Sequence, residues 1–247
     1  MKVRLDKLLV ERGLATTRER AQAMALAGRV LVNEQKVDKP GAPVAVDAAL
    51  RLLGDDPRYV GRGGLKLEAA LQQWGVDLSG RFCVDVGAST GGFTDCMLQH
   101  RAARVLAIDT GYGQIAQSLR SDTRVTLMER TNARHLKPGD LPGGISFLAM
   151  DVSFISATLV LAPVIAAIGK TLSQAVILVK PQFEAGREYV GKGGIVRDAA
   201  GHQAAIDRVR DCVQELAGGE IVVIDSPILG AEGNREFLLY ARWGPGL

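Results

Sequence analysis

Aromatic residues account for only 5% of this 247-residue chain, so aromatic side chains contribute little to its interior. The three cysteines, Cys83, Cys96 and Cys212, are odd in number and lack metal-ligand spacing, which argues against a disulfide framework or a cysteine metal site. No apolar run reaches the ~18 residues that a membrane span requires. The charged segment from Met1 to Asp6 lacks the apolar stretch of a secretory signal. We therefore expect a cytoplasmic protein that holds no metal.

Apolar residues account for 47% of the chain and charged residues for 23%, which is an ordinary globular balance. The length suits one large domain or two unequal ones with an aliphatic core. Positive charge is concentrated early: residues 1–60 contain eleven Lys/Arg and eight Asp/Glu, whereas residues 61–247 contain nineteen of each. This asymmetry indicates an anionic partner for the N-terminal segment.

The stretch Phe82–Thr94 organises the rest of the chain. An apolar run containing Asp85 is followed by small residues and then by a polar helix start, which predicts a strand, a tight turn and a helix. Gly87, Gly91 and Gly92 let the backbone approach a ligand closely, and the helix start adds unpaired N–H groups. The spacing departs from the G-x-G-x-x-G of nicotinamide-binding proteins, which disfavours a nicotinamide oxidoreductase. A purely structural turn is the alternative.

This stretch resembles the D-x-G-x-x-x-G-G-F-T loop of S-adenosylmethionine (SAM)-dependent methyltransferases of the FtsJ type. The resemblance implies that a nucleoside-bearing cofactor lies against the main chain of the loop.

The first 50 residues predict two helices and a small sheet. Leu5, Leu8 and Leu9 share one face of a helix over residues 3–11. Thr16 or Thr17 caps a second helix that ends at Gly28. A strand at 30–32 follows, then a turn at 33–35 and a return strand that starts at residue 37.

This segment resembles the alpha-L RNA-binding motif of small-subunit ribosomal protein four. The resemblance departs at Glu34, where many members have glycine after Asn33. It rests on Arg4-Leu5-Asp6, Thr17-Arg18 with Ala21, Gly28-Arg29-Val30, Val32-Asn33 and Val37–Pro40. Basic side chains of such a module contact phosphate and supply affinity more than sequence readout. The predicted RNA-binding residues are Arg4, Lys7, Arg18, Arg20, Arg29, Lys36 and, beyond the module, Arg62. The alternative is a small helical cap with a solvated basic face.

Residues 53–63 resemble a linker, because Pro57 and three glycines break any regular pattern. Arg58 and Arg62 have the charge to contact nucleic acid, and Tyr59 has a ring that can stack on a base.

From residue 64 onward, apolar strands alternate with helical patterns, which predicts a parallel sheet covered on both faces. Two consecutive strands in residues 218–243 break the alternation and indicate an antiparallel closing strand. Ligands in such sheets bind outside the carboxyl ends of the strands. Asp85, Asp109, Asp151 and Lys180 all fall at predicted carboxyl ends, and an acid such as Asp109 can bind ribose hydroxyls.

Lys66, Asp151, Lys180 and Glu236 are the candidate chemical residues. Lys180 follows an apolar strand directly, and a buried lysine needs a carboxylate partner or must lose its proton. Asp151, at the end of the neighbouring strand, is the natural partner. Structural ion pairing is the alternative to a catalytic role.

Over its whole length the chain resembles the TlyA-type haemolysin/rRNA methyltransferases, which join an alpha-L RNA-binding domain to an FtsJ-like methyltransferase domain. The resemblance is carried by residues 59–67, 85–94, 109–113, 151–156, 180–184 and 234–239. It implies an RNA-binding domain at 1–56, a linker at 57–63 and a seven-stranded doubly wound, Rossmann-like α/β methyltransferase domain at 64–247. It also implies SAM-dependent 2′-O-methylation of cytidine in ribosomal RNA.

The Lys-Asp-Lys-Glu tetrad of FtsJ-type ribose methyltransferases falls on Lys66, Asp151, Lys180 and Glu236. We expect Asp151 to orient Lys180 and Glu236 to orient Lys66, and either lysine to act on the 2′-hydroxyl proton. The predicted cofactor-binding residues are Asp85, Gly87, Ser89, Thr90, Gly91, Gly92, Phe93, Asp109, Asn132 and Asp151. A membrane-active haemolysin and a non-catalytic RNA-binding factor are the alternative functions.

Overall fold

A computed structural model describes residues 2–15, 17–26, 28–53, 58–216, 218–230 and 233–244. Thr16, one of the two predicted helix caps, and Pro57, the start of the predicted linker, lie outside the described residues. The chain divides into two compact units, Met1–Asp56 and Pro57–Leu247, called here the first and second unit.

The described residues of the first unit form two helices and five short strands. In chain order they are β1 (Lys2–Arg4), α1 (Leu5–Glu11), α2 (Arg18–Leu26), β2 (Val30–Val32), β3 (Gln35–Lys36), β4 (Pro43–Ala45) and β5 (Leu50–Leu52). β1 pairs with β4, and β2 lies between β3 and β5, with every pairing antiparallel. The leucines predicted to share a face of α1 are buried against α2, and the Thr17 hydroxyl accepts a hydrogen bond from the Arg20 N–H at 3.2 Å.

The return strand begins earlier than the sequence predicts. Val32 pairs with Gln35, so the turn consists of Asn33 and Glu34 alone, with φ of +50° and +63°. Two residues with positive φ form the tight turn that suits the twist of a hairpin. Glu34 therefore adopts the backbone conformation that favours glycine, and its carboxylate pairs with Arg51 on the neighbouring β5.

The second unit is built on a seven-stranded sheet with helices on both faces, as predicted. Its elements are α3 (Gly63–Gln73), β6 (Phe82–Val86), α4 (Gly92–Gln99), β7 (Arg104–Ile108), α5 (Gln117–Arg120), β8 (Val125–Met128), β9 (Ile145–Met150), α6 (Thr158–Ile168), β10 (Gln174–Val179), α7 (Pro181–Glu184), α8 (Ala199–Glu215), β11 (Glu220–Asp225) and β12 (Phe237–Arg242). The strand order is β11-β12-β10-β9-β6-β7-β8. β12 is antiparallel to both of its neighbours, so the antiparallel strand lies inside the sheet and not at its edge.

Side chains alternate between the two faces of the sheet along each strand. Because helices cover both faces, the apolar strands are buried on both sides. On β6, Val84 and Val86 join the core under α6 and α8, whereas Cys83 joins the core under α3 and α4. From β6 the chain proceeds outward through β7 and β8, and β9 then lies on the other side of β6. This reversal of strand order places a crevice between the carboxyl ends of β6 and β9, where ligands of doubly wound sheets bind.

Residues 58–63 pack as part of the second unit, which differs from the predicted linker. Tyr59 is only 3% exposed and belongs to the core beside α3 and α4, so its ring is not available to stack on a base. The Val60 N–H donates to Asp95 at 2.8 Å, and Arg58 forms an ion pair with Glu68. Arg62 is exposed just ahead of α3.

Candidate active site

The turn after β6 brings two backbones into close contact. Gly87 has φ of +86°, and a Cβ atom added there would lie 2.3 Å from the carbonyl oxygen of Asp151. The Asp151 N–H donates to the Val86 carbonyl at 2.9 Å. Only glycine combines this dihedral angle with this approach, so Gly87 fixes the position of Asp151 beside the turn.

The rest of the turn is held by Asp109, the residue after β7. Its carboxylate accepts hydrogen bonds from the Ser89 and Gly111 N–H groups, each at 2.7 Å. Gly91, with φ of +96°, precedes α4 and packs so closely on Leu119 that a Cβ would lie 2.3 Å from its side chain. Asp109 thereby joins the turn after β6 to the turn after β7.

Asp85 lies below these two turns and is not part of their surface. Its side chain is completely buried, and Oδ2 accepts a hydrogen bond from the Thr94 hydroxyl at 2.6 Å, which ties β6 to α4. Burial raises the pKa of the Asp85 carboxyl to about 7, although the Thr94 hydrogen bond opposes the shift. The sequence assigned Asp85 to cofactor binding, whereas its contacts support the turn from below.

The raised pKa predicts a distinct pH dependence of stability. Between about pH 4 and pH 7 the folded protein keeps a proton on Asp85 that the unfolded chain has lost. The stability from this group is fully present below about pH 4 and is lost as the pH rises to about 7, at up to about 1.4 kcal/mol per pH unit. Urea unfolding at pH 4 to 8 should show this slope in the wild type and not in Asp85→Asn. Equal slopes in the two proteins would contradict the assignment.

Two pockets flank the turn. The strand-end pocket, of about 310 Å³, opens at the carboxyl ends of β6, β7 and β9 and contains Asp109 and Asn132. The loop pocket, of about 210 Å³, contains Thr90, Gly92, Phe93, Arg62 and Lys66.

Most predicted cofactor-binding residues line these two pockets. Gly87, Ser89 and Asp151 border both of them, and the pockets therefore meet at the crevice between β6 and β9. Of the predicted set, Asp85 and Gly91 border neither.

Two ion pairs lie at the same edge of the sheet. The Lys180 ammonium, directly after β10, is 2.6 Å from Asp151 Oδ1 and donates a hydrogen bond to the Ser153 hydroxyl at 2.6 Å. Lys66, on the first turns of α3, pairs with Glu236, and both side chains are buried. Each buried ammonium thus has the carboxylate that its burial requires.

A third pocket connects the two ion pairs. This aromatic pocket, of about 480 Å³, is lined by Lys66, Lys180 and Glu236 together with Phe154 and Phe183. Lys66 also borders the loop pocket, which Asp151 lines too, so the predicted tetrad converges where the loop and aromatic pockets meet. Among the described residues, no cluster of three or more His, Cys, Asp or Glu is arranged to hold a metal ion.

Sequence reasoning missed two polar residues at this edge, Ser153 and Gln182. Each is two residues beyond a tetrad member, and both border the aromatic pocket. A signal was present, because both are polar residues three positions after the end of a buried strand, and the segments that follow such strands lie at the ligand edge of a parallel sheet.

In the first unit, Asp6 brings two of the predicted RNA-binding residues together. Its buried carboxylate accepts hydrogen bonds from Arg4 Nη2 at 2.8 Å and from Arg18 Nε at 3.1 Å, while both arginines remain about half exposed. The Arg4 hydrogen bond holds the pKa of Asp6 well below its usual range. Lys7 and Lys36 are exposed, and Arg20 and Arg29 are half-buried. The contacts of these residues with RNA stay predictions.

Residues 59–243 match the family of FtsJ-like methyltransferases, and residues 3–49 match the S4 domain. The chain is 42% identical to the 16S/23S rRNA (cytidine-2′-O)-methyltransferase TlyA of Mycobacterium tuberculosis over 98% of this chain and 90% of that protein. It is 50% identical to YqxC of Bacillus subtilis, whose name provisionally assigns it to the rRNA methyltransferases, over 99% of this chain and 87% of that protein.

A solved structure from Streptococcus thermophilus, provisionally named a hemolysin, has the same fold. It superimposes with a TM-score of 0.74 at 42% identity, and the match covers 98% of this chain and 88% of that one.

Proposed function

The chain belongs to the FtsJ-like methyltransferases that carry an S4 domain ahead of the methyltransferase domain, and we propose that it methylates the 2′-hydroxyl of a cytidine in ribosomal RNA. The observation that carries this proposal is the meeting of the Lys180–Asp151 and Lys66–Glu236 pairs at the carboxyl edge of the sheet. A ribosomal substrate implies a cytoplasmic location.

The cofactor of the proposed reaction is SAM, and the residues at the edge of the sheet fit it. Asp109 accepts hydrogen bonds from two backbone N–H groups. Because a carboxylate offers about four acceptor positions, it keeps lone pairs for ribose hydroxyls. Asn132 lies in the same pocket and can contact the adenine, and the Gly87 turn allows close approach of the main chain. When bound, SAM supplies an electrophilic methyl group carried on a sulfonium.

The two ion pairs supply the groups that act on the substrate. Lys180, held by Asp151 and Ser153, would polarise the 2′-hydroxyl as an ammonium or take its proton as a free amine. The oxygen would bond to the methyl carbon as the bond from that carbon to sulfur breaks, and the sulfur would leave as a neutral thioether. Glu236 holds Lys66, which lines the same aromatic pocket, and either lysine can serve this role. Because the chain holds these groups in place before the reaction, alignment contributes much of the rate.

Two alternative functions are not favoured. The name hemolysin on a related structure suggests membrane damage, and no helix among the described residues is long and apolar enough to cross a membrane. A non-catalytic RNA-binding factor has no need of four converging charged side chains. Dye release from liposomes tests the first alternative: we expect none at protein concentrations that methylate RNA.

Methyl transfer to purified ribosomal subunits tests the proposed function. Unmodified small and large subunits are incubated separately with protein and methyl-labelled SAM. We expect label in the RNA of at least one subunit. No label in either, from protein that binds SAM, would contradict the proposed substrate.

The first unit is proposed to bind rRNA through Arg4 and Arg18. Each phosphate contact adds about 0.7–0.9 to the slope of log affinity against log salt concentration. Arg4→Gln together with Arg18→Gln should therefore weaken subunit binding and reduce that slope by about 1.4–1.8. Arg210→Gln, on α8 of the second unit, is the control and should leave the slope unchanged. A double variant with the wild-type slope would remove these arginines from the interface.

A further inference from the structure

A half-buried glutamine next to the catalytic lysine is unused by the mechanism above. Gln182 is the second residue of α7 and lies two positions after Lys180. Its side-chain Oε1 is buried and accepts no hydrogen bond from the described residues. Buried amide oxygens in folded proteins nearly always have a donor, so the position is suited to a donor that arrives with a ligand.

The aromatic pocket that Gln182 lines has room and surfaces for a flat group. Besides the two lysines, its walls include Phe154 and Phe183, whose ring centroids are 5.6 Å apart and inclined at 53°. Phe154 is 93% exposed and has φ of +64°, an unfavourable conformation for a bulky residue. Such backbone strain is concentrated at ligand sites, and nucleobases stack on exposed aromatic rings.

The chemistry of a nucleoside connects this pocket to Lys180. The base is attached to C1′ of the ribose, the carbon next to the one that carries the 2′-hydroxyl. A nucleotide whose 2′-hydroxyl lies at Lys180 therefore carries its base close enough to reach the walls of the same pocket. Enzymes that act on single nucleotides commonly take the base out of the stack and bind its Watson–Crick edge in a pocket.

We propose that Gln182 is a specificity-determining residue that binds the Watson–Crick edge of the target cytosine in the aromatic pocket. This inference rests on the proposed function. Oε1 accepts from the 4-amino group of cytosine, which supplies the missing donor, and Nε2 donates to N3. An amide offers this acceptor and donor side by side.

Uracil reverses both partners. It presents a carbonyl oxygen where cytosine has its amino group, and an N–H where cytosine has the N3 acceptor. With the amide oriented as in this structure, oxygen faces oxygen and N–H faces N–H. Pairing with uracil requires the amide to turn over, which brings Nε2 to the buried position that Oε1 now occupies. A single well-placed amide pairing is worth about 1–3 kcal/mol of base discrimination, which corresponds to about 5- to 150-fold.

The test compares two proteins on two substrates. Ribosomal subunits are prepared with the native cytidine and with uridine at the methylated position, and kcat/KM is measured for wild type and Gln182→Ala. Wild type should prefer cytidine by about tenfold or more. Gln182→Ala should lose about tenfold or more on cytidine and change little on uridine, so that the preference nearly disappears. Gln203→Ala, an exposed position on α8, is the matched control and should keep the preference.

The base preference of Gln182→Ala shows whether Gln182 contacts the cytosine. An unchanged cytidine preference in Gln182→Ala would overturn this contact, and so would an equal loss on both bases. SAM affinity and thermal unfolding of the variant show whether a loss arises from misfolding; if alanine unfolds the protein, Gln182→Met provides the same comparison at similar volume. Wild-type protein that is inactive on both subunits would contradict the proposed function itself. Active wild type whose base preference does not depend on Gln182 would contradict the base contact alone.

Discussion

Lys180→Ala is expected to lower the rate of methyl transfer to ribosomal RNA by about 10²–10⁴-fold, the usual contribution of a positioned acid–base group. Lys180 lies between Asp151 and Ser153 with its ammonium 2.6 Å from each. It borders the aromatic pocket, whereas the strand-end and loop pockets lie beside Asp151. SAM affinity should therefore stay near the wild-type value. Single-turnover methylation and calorimetric titration of SAM separate the two effects.

Two further variants separate possible reasons for that loss. Lys180→Arg keeps the charge and a partner for Asp151, but a guanidinium does not give up its proton. Activity retained in Lys180→Arg would mean that the positive charge acts and that proton uptake does not. Lys170→Ala, an exposed lysine beyond α6, controls for simple loss of charge. If Lys180→Ala stays within about threefold of wild type, Lys180 has no part in the acid–base step.

Gly87→Ala is expected to reduce SAM affinity at least about tenfold and to destabilise the second unit by about 2–4 kcal/mol. A Cβ at this position meets the Asp151 main chain, and φ is already +86°. The crevice must therefore open or the turn must rebuild, and Asp151 moves with it. Equilibrium unfolding and SAM titration measure the two effects.

Gly80 offers a matched control for Gly87. Its φ is +73°, and a Cβ there has no atom within 4 Å among the described residues. Gly80→Ala should therefore lower the free energy of unfolding by only about 1 kcal/mol, the cost of a positive φ for alanine, and SAM affinity should be unchanged. If the two variants behave alike, the close approach of Gly87 to Asp151 has no bearing on the cofactor site.

The large sheet could be predicted because its strands are continuous apolar runs with a charged or polar residue at the end. Asp109, Asp151 and Lys180 follow β7, β9 and β10 directly, and parallel strand ends meet at one edge. What a linear pattern does not contain is which residue of a strand faces the ligand. Asp85 is the fourth of five residues in β6, still inside the strand, so it supports the turn from below.

Other differences have local causes. The short strands β4 and β5 have three residues each, too few to show alternation. Tyr59 belongs to a glycine-rich segment, yet its ring covers Gly64, where a Cβ would lie 2.3 Å from it. A glycine in that position signals close packing as readily as flexibility. Ser153 was missed because its partner, Lys180, follows a strand that is distant in sequence.

The identity of the methylated nucleoside shows whether the two ion pairs act on a ribose hydroxyl. RNA from subunits treated with the protein and labelled SAM is digested completely to nucleosides, and the labelled product is identified by chromatography and mass spectrometry. We expect 2′-O-methylcytidine, with the label on the ribose, and at least about 10²-fold less of it when Lys180→Ala replaces the wild type for the same short incubation. Label on the cytosine base, or on another nucleoside, would contradict the assignment of the two ion pairs to ribose chemistry.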